Sequence, residues 1–378
     1  DRRDYGHDGM GNVTSVTVRR ADGTVSDRTS SSFDELGRII SQTTGFHRTR
    51  RWAYDANGNA TTLTSPASDA TTQAFDALDR LMTVVAPDGG TTSLAYDQKD
   101  AVLQNTDPRL VTTQYVYDGF GDVIQEVSPD RGTSTYWYDA AGDMVQSSDG
   151  RGQVVDYTRD ILGRITQKVP AGHSGEAIGY SWDTGGLAGS YGIGRLGAIT
   201  DASGTTRFQY DHRGNLLVTQ QPVGTSSAAQ LVYGYDPGNR ITDITYPSGR
   251  LVHYGYDSKG RVSLVQTKAS ASVATWTVVA DTYSYEPFAA VKGMRLGNGL
   301  SVANDWGDDG RLASRRLYQT SGGANLSFLD YGYDSNDNVT AIRDRLDDSR
   351  SLYYGYDGND RLKLTVLTAA SPTAGTET

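Results

Sequence analysis

The sequence contains no cysteine, which excludes disulfide bonds, zinc sites built on thiolates and a cysteine nucleophile. It has no apolar run of about 18 residues, so it predicts no transmembrane helix, and no signal peptide is recognisable at its start. Its net charge is -10, and clustered Lys and Arg are lacking. Because phosphate binding requires concentrated positive charge, this balance argues against nucleic acid as a partner.

Aliphatic side chains and proline are also scarce, whereas 44 Gly and 24 Tyr are present with abundant Thr, Asp and Ser. This composition predicts many tight turns between short strands and no long helices, so the predicted fold class is all-β. Tyrosine supplies the apolar area that aliphatic residues normally provide. The shortage of aliphatic residues fits a sheet one layer thick with at least one face in water.

An aromatic residue followed by Asp recurs every 21 residues, and a strict period of this length indicates a repeat array. The regular copies are Phe33-Asp34, Tyr54-Asp55, Phe75-Asp76, Tyr96-Asp97, Tyr117-Asp118 and Tyr138-Asp139. The period is regular over 34–160 and looser, with insertions, over 161–378. We predict one array of about 16 hairpin units over 1–378. Since the chain starts at Asp1 in mid-pattern, we expect a fragment of a larger protein.

Each repeat predicts a β-hairpin whose turn has the pattern aromatic-Asp-x-x-Gly-Arg/Asn. The Asp carboxylate can accept backbone N–H groups of the turn, and Gly can adopt the left-handed conformation that closes it. Where Gly is absent, its substitutes Asp79, Asp100, Asn239, Asp337 and Asp360 are residues that tolerate this conformation. The predicted structural motif residues are Tyr54, Asp55, Gly58, Tyr96, Asp97, Tyr117, Asp118, Gly121, Tyr138, Asp139, Gly142, Tyr210, Asp211, Gly214, Tyr235, Asp236, Tyr256, Asp257, Gly260, Tyr333, Asp334, Tyr356 and Asp357.

A second turn, often containing Pro as at Pro66, Pro87 and Pro108, links one hairpin to the next. Two strands per unit predict roughly 32 strands in a long antiparallel sheet of repeated hairpins. Strand twist accumulates in so long a sheet, so we expect it to spiral. Insertions interrupt the period at 184–194, 221–230 and 268–280, and such loops are the places where an array most readily carries a binding function.

The sequence predicts no catalytic, cofactor-binding or metal-binding residues. The repeated Asp residues are interpreted as turn caps, and the period differs from that of calcium-binding repeats. The segment Gly192–Gly197 matches G-x-G-x-x-G but continues into a strand and not into the helix that a dinucleotide site requires. The Tyr doublets, such as Tyr115/Tyr117, place both rings on one face, where they form either the packing of the sheet or a stripe that stacks on sugars.

The consensus Tyr-x-Tyr-Asp-x-x-Gly-Arg/Asn, the 21-residue period and the segment from Tyr191 to Gly204 resemble the RHS/YD-repeat family. This family includes bacterial polymorphic toxins, shell subunits of Tc toxins and teneurins. The resemblance implies a spiralling β-shell that encloses a toxin domain, and a self-cleavage segment with a DPxG-like motif. Asp107-Pro108 and Asp236-Pro237 lie at routine turns, so neither is predicted to be that cleavage site.

The predicted function is therefore a non-enzymatic structural segment of a YD-repeat shell that encapsulates a C-terminal toxin or effector domain. Its expected partners are that domain or other parts of the same shell, with no nucleic acid and no membrane span. The expected location is secreted or on the bacterial cell surface, as part of a larger exported protein. The alternative is a cell-surface adhesion or carbohydrate-binding array, whose partner would be a glycan or a surface protein.

Overall fold

The computed structural model describes residues 2–45, 47–224, 226–287, 290–307 and 309–367. A 32-stranded antiparallel sheet of successive hairpins confirms the predicted all-β class. Its strands are β1 (Arg2–His7), β2 (Val13–Arg19), β3 (Val25–Phe33), β4 (Ile39–Thr44), β5 (Arg48–Tyr54), β6 (Ala60–Thr64), β7 (Ala70–Phe75), β8 (Leu81–Val85), β9 (Thr91–Tyr96), β10 (Val102–Thr106), β11 (Thr112–Tyr117), β12 (Val123–Ser128), β13 (Gly132–Tyr138), β14 (Met144–Ser148), β15 (Val154–Arg159), β16 (Ile165–Pro170), β17 (Ile178–Trp182), β18 (Leu196–Asp201), β19 (Gly204–Tyr210), β20 (Leu216–Val223), β21 (Ser226–Tyr235), β22 (Ile241–Thr245), β23 (Leu251–Tyr256), β24 (Val262–Lys268), β25 (Thr277–Tyr285), β26 (Val291–Leu296), β27 (Leu300–Trp306), β28 (Leu312–Gln319), β29 (Asn325–Tyr333), β30 (Val339–Asp344), β31 (Leu352–Tyr356) and β32 (Leu362–Leu367).

Helical structure in the described part of the chain is limited to two short 3-10 turns, Ser174–Glu176 and Asp348–Arg350. Neither is long or apolar enough to cross a membrane. By its internal contacts the chain divides into two compact units. Unit 1 comprises residues 1–94 and 280–378, and unit 2 comprises residues 95–279.

The hairpin formed by β11 and β12 shows how one repeat is built. Its turn is closed by hydrogen bonds from Asp118 N to Asp122 O (3.0 Å) and from Gly121 N to Asp118 O (3.4 Å). Gly121 has φ +97°, the left-handed conformation that follows a tight turn in three-residue hairpin loops. The predicted substitutes Asp79, Asp100, Asn239, Asp337 and Asp360 also have positive φ, between 59° and 76°, which confirms the backbone explanation of that position.

A β-bulge precedes this turn. Val116 pairs with Gln125 and Tyr117 pairs with Val123, so Ile124 is an extra residue on the returning strand. The same register shift occurs at the aromatic residue of other hairpins in both units, for example at Tyr333 in unit 1 and at Tyr138 in unit 2. A bulge increases local twist and redirects neighbouring side chains, so each repeat bends at its aromatic residue.

The turns that link successive hairpins have the same geometry. In the turn after β10, Asp107 N donates to Val111 O (3.0 Å) and Leu110 N donates to Asp107 O (2.9 Å). Leu110 occupies the left-handed position with φ +64°, which is unfavourable for an aliphatic residue. Both turns of a repeat therefore share the same pair of backbone hydrogen bonds and the same positive-φ position, and only the first turn has the aromatic-Asp pair.

The buried core is small, as a single-layer sheet requires. The apolar residues with less than a tenth of their surface exposed are Val18, Ala198, Ala280, Val302, Ala341 and Tyr353. The motif tyrosines are half-buried instead. Hydrophobic burial alone is modest for a chain of this length, so specific contacts between neighbouring hairpins gain importance.

The three predicted insertions have different structures, and all their residues except residue 280 belong to unit 2. Residues 184–194 form a loop along β19, where Leu187 N donates to Phe208 O and Tyr191 N donates to Tyr210 O, both at 3.0 Å. The second insertion lengthens the hairpin of β20 and β21, and residue 225 within it lies outside the described residues. The third insertion places Trp276 beside His253 and Lys268. Gly197 lies within β18, so the glycine motif does continue into a strand.

Candidate functional site

The YD turn, defined as the turn that follows each aromatic-Asp pair, is organised by its carboxylate. In the turn of Asp118, one carboxylate oxygen accepts the backbone N–H groups of Phe120 (2.8 Å) and Asp122 (3.0 Å). The same two bonds, to the second and fourth residues after Asp, occur at Asp34, Asp55, Asp76, Asp97, Asp139, Asp160, Asp211, Asp236, Asp257, Asp334 and Asp357. These carboxylates are thus engaged in holding the turn.

The residue four positions after Asp extends this arrangement to the next hairpin. Arg38 Nε donates to Asp34 Oδ2 (2.7 Å), while its guanidinium lies 4.6 Å from the centre of the Tyr54 ring. Arg240 connects Asp236 to Tyr256 in the same way, with a ring distance of 4.5 Å. Arginine therefore joins the turn of one repeat to the aromatic residue of the next, by an ion pair and a cation–π contact.

The tyrosine hydroxyl makes a contact that we call the backbone clasp. Tyr117 Oη donates to Val102 O (2.9 Å), the first carbonyl of the returning strand in the preceding hairpin. The other clasps of this kind are Tyr54 to Ile39, Tyr138 to Val123, Tyr210 to Leu196, Tyr235 to Leu216, Tyr256 to Ile241, Tyr333 to Leu312 and Tyr356 to Val339, at 2.6–3.0 Å. The clasp fastens each of these eight repeats to the hairpin before it.

Other donors replace tyrosine where the motif departs from its consensus. The indole N–H groups of Trp182 and Trp306 donate to Ile165 O (2.8 Å) and Val291 O (3.2 Å). Arg159, which stands in the aromatic position of its repeat, donates to Met144 O from its guanidinium (3.2 Å). A side-chain N–H or O–H donor thus occupies this position in the Tyr, Trp and Arg repeats, whereas Phe33 and Phe75 place a ring without a donor there.

The electrostatics of the turns follow from these contacts. Burial raises the pKa of Tyr117 and of Tyr138, and neighbouring carboxylates act in the same direction because they disfavour a phenolate. The hydrogen bond from the Arg80 side chain holds the pKa of Asp76 below its usual range, with help from backbone N–H groups. Tyrosine is therefore kept as a neutral donor and aspartate as an ionised acceptor.

The predicted motif residues lie as the repeat requires, one set in each hairpin, and they are not brought together into a common pocket. Each Tyr ends a strand, each Asp begins a turn, and the motif glycines Gly58, Gly121, Gly142, Gly214 and Gly260 have φ between 82° and 97°. Sequence reasoning proposed ring packing for tyrosine and missed the hydroxyl contact. The available signal was the recurrence of a donor, including Trp and Arg, at one position.

Within unit 1 a second set of contacts joins turns that are 261–289 residues apart in sequence, and we call it the seam. On one side stand the linking turns at 20–24, 44–48, 65–69 and 86–90. On the other side stand the YD turns at 334–338 and 357–361 and two equivalent turns that begin at Glu286 and Gly307, after Tyr285 and Trp306. Each contact of the seam pairs a linking turn with a YD turn or its equivalent.

The central seam contacts involve Asn336. Its amide oxygen accepts the backbone N–H of Ala67 (3.0 Å), and its amide nitrogen donates to Asp69 Oδ2 (3.1 Å). Between the next turn on each side of the seam, Arg361 Nη2 donates to Asp88 Oδ2 (2.8 Å). Because Asn336 uses both ends of its amide, this contact depends on the position of the two turns.

Buried charge strengthens the seam at its other end. Glu286, only 6% exposed, accepts from Arg20 Nε (3.0 Å) and pairs with Lys292 Nζ (3.2 Å). Burial opposes ionisation of Glu286, but hydrogen bonds and charge pairing with the two cations outweigh it and lower its pKa. Arg48 donates to Asp309 O (3.0 Å) and pairs with Asp337. Nothing in the sequence signals pairings over such distances.

The described residues contain no group of three or more His, Cys, Asp or Glu side chains arranged to hold a metal ion. The histidines do not form a cluster, and His253 Nδ1 in β23 pairs with Asp243 Oδ1 (2.8 Å) in the neighbouring strand β22. The carboxylates of the YD turns point to backbone donors of their own turns. The chemistry that the arrangement supports is attachment of one hairpin to another.

The fold and these contacts define a class of protein, a tandem array of β-hairpins fastened in sequence by aromatic-Asp turns. The model of the Teneurin YD-shell family matches residues 3–158 and 163–273. The chain therefore belongs to the Teneurin YD-shell family. No curated protein matches it.

Solved structures of toxin complexes share this fold. TcdB2-TccC3 and TcdB2-TccC3-TEV each have a TM-score of 0.56 and 15% identity, over 95% of this chain and 24% of theirs. The Tc holotoxin pore of Photorhabdus luminescens has a TM-score of 0.52 and 15% identity, over 95% of this chain and 23% of its own. The chain thus spans about a quarter of the length of these structures, and the similarity at this identity is one of fold.

Proposed function

We propose that this chain is a non-enzymatic wall segment of an RHS/YD-repeat shell that encloses a toxin or effector domain. The proposed mechanism is steric, because a continuous sheet excludes proteases and external targets from whatever lies behind it. Family membership and the shared fold of the Tc complexes support a shell-type role. The motif residues would then serve to fasten the wall, and the whole of 1–378 would act as one array.

The observation that carries this proposal is the seam. A wall needs contacts in two directions: between successive hairpins along the sheet, and between stretches of the sheet that are distant in sequence. The backbone clasps support tightness along the sheet, while Asn336 and Arg361 support it between stretches that are far apart in sequence. An adhesion array would have no need for the second kind of contact.

The proposed partners are other parts of the same shell and the enclosed domain, and the proposed location is outside the cell after export from a bacterium. The alternative of a glycan-binding array receives no support from the comparisons. Enzymatic activity of the array itself would require convergent reactive groups, whereas the carboxylates of the YD turns are occupied by backbone N–H donors.

Protease protection tests the proposal. The complete product of the gene that encodes this chain is incubated with a protease beside its isolated C-terminal domain, and we expect only the isolated domain to be digested. The double variant Asn336→Ala/Arg361→Ala, which removes seam contacts, should increase digestion of the domain in the complete protein. Arg109→Ala is the matched control, because Arg109 pairs with Asp107 and Asp130 in linking turns of unit 2. Equal digestion of the enclosed and isolated domains would refute encapsulation.

A further inference from the structure

The seam leaves one edge of unit 1 uncovered, and we call it the free YD edge: the turns at 34–38, 55–59 and 76–80. These turns lie at the strand ends opposite to the linking turns that form the seam. Leu36 and Leu78, each the second residue after the Asp of its turn, are 73% and 69% exposed. In the seam this turn position is held by Asn336, which contacts the opposite turn. The free YD edge therefore exposes the turn position that makes contacts in the seam.

The turn at 55–59 on this edge has the same side-chain bonds as the seam turn at 334–338. Asn57 and Asn59 each donate from Nδ2 to Asp79 Oδ1, at 2.8 and 2.7 Å. The equivalent bonds of the seam turn also run to the next YD turn, at 3.0 and 2.6 Å. Both turns thus hold the amide of the second residue after Asp by the same contact.

The two amides differ in what lies beyond them. Asn336 is half-buried, and its Oδ1 accepts the backbone N–H of Ala67 across the seam (3.0 Å). Asn57 is exposed, and its Oδ1 has no hydrogen-bond partner within the part of the chain that the structure describes. The free YD edge therefore carries an amide oxygen that can accept a backbone N–H of another linking turn.

The linking turn at 296–300, on the other uncovered edge of unit 1, has the complementary group. Asn298 is its third residue, as Ala67 is of the seam turn at 65–69, and the residue after each has positive φ, 85° and 75°. Asn298 is exposed, and its backbone N–H has no partner among the described residues. Leu326, just beyond the next linking turn, is 52% exposed.

The order of turns in the seam fixes how these two edges would meet. Along the seam, successive linking turns face successive YD turns in the same order. With Asn298 placed at Asn57, the next linking turn therefore lies on the next YD turn. Leu326 then comes beside Leu78, so a single register matches a polar pair and an apolar pair.

We propose that the free YD edge docks the linking-turn edge of a second copy of this chain, as YD and linking turns meet in the seam. The amide oxygen of Asn57 accepts the backbone N–H of Asn298 of the second copy, and Leu78 packs against Leu326 of the second copy. A second copy is the occupant because each chain has one uncovered edge of each kind. The contact joins unlike surfaces, so further copies can add at both ends.

Sedimentation velocity of the full chain over a range of concentrations tests the proposal. We expect concentration-dependent association that Asn57→Ala and Leu78→Lys each weaken at least tenfold. Leu162→Lys is the matched control and should leave association unchanged, because Leu162 has the same turn position in unit 2 and is 70% exposed. A chain that stays monomeric at every concentration, or equal losses in Leu78→Lys and Leu162→Lys, would overturn the proposal.

Disulfide trapping tests the orientation, since the chain has no cysteine of its own and a disulfide forms only between close residues. Leu78→Cys and Leu326→Cys are oxidised separately and as a mixture, and we expect linked dimers only in the mixture. Linkage of Leu78→Cys to itself would show contact between like edges and would contradict the proposal, as would linkage in none of the samples. Either failure leaves the protease-protection test of encapsulation unaffected.

Discussion

Removal of a single tyrosine hydroxyl should measure the strength of the backbone clasp. Tyr117→Phe keeps the ring and its packing but deletes the donor to Val102 O, a bond of 2.9 Å in a partly buried setting. A hydrogen bond of this kind contributes about 1 kcal/mol net, with a range of about 0.5 to 1.5. We therefore expect local opening of the hairpins β9–β12 to become about five times more frequent, since 1.4 kcal/mol corresponds to a factor of ten.

Hydrogen exchange followed by mass spectrometry is the suitable assay, because long repeat arrays can unfold in parts and a single global midpoint then loses its meaning. Exchange should accelerate in peptides covering β9–β12, residues 91–128, and remain unchanged in the rest of unit 1. Tyr246→Phe provides the matched control, because Tyr246 belongs to unit 2, is 40% exposed and lies in a linking turn. If Tyr117→Phe and Tyr246→Phe exchange alike, the hydroxyl does not fasten the repeats and the reasoning fails.

Three further predictions concern the turns, the tyrosines and the seam. Leu110→Asn should raise local stability by about 1 kcal/mol, because Asn tolerates the left-handed conformation better than Leu and Leu110 is 83% exposed. Unchanged hydrogen exchange in the hairpin of β10 and β11 would contradict this. Burial raises the pKa of Tyr117 and of Tyr138 above the unfolded value of about 10. The stability that the two neutral phenols contribute is therefore complete below that unfolded pKa and is lost as pH rises through the pKa values of the folded state. Circular dichroism against pH should show alkaline unfolding that is reduced in the Phe variants. Arg361→Ala should accelerate hydrogen exchange in both turns that its pairing with Asp88 joins, and added salt should reproduce part of the effect only in the wild-type protein.

The local design of the repeat could be predicted from the sequence because it depends on residues close together. The turn requires a carboxylate acceptor and, three residues later, a residue that accepts positive φ. Asp79 and Asn239 identify that position in the sequence as well as glycine does, because both residue types tolerate positive φ. Alternating strands and a scarcity of aliphatic residues were sufficient for the all-β class.

Contacts between repeats could not be predicted from the sequence, for physical reasons. The Tyr117 hydroxyl reaches Val102 O in the preceding hairpin, and the period alone predicts ring packing and not this bond, because it does not give the placement of one hairpin against another. The seam pairs Ala67 with Asn336, and these residues have no shared pattern or spacing that marks them as partners.

The backbone clasp has a direction. In every described clasp the donor lies later in the chain than the carbonyl that it reaches, for example Tyr256 to Ile241 and Tyr356 to Val339. During translation the acceptor is therefore synthesised before its donor. Each new hairpin can fasten at once to a finished neighbour, so the array can be completed from its amino-terminal side without waiting for residues still to be synthesised.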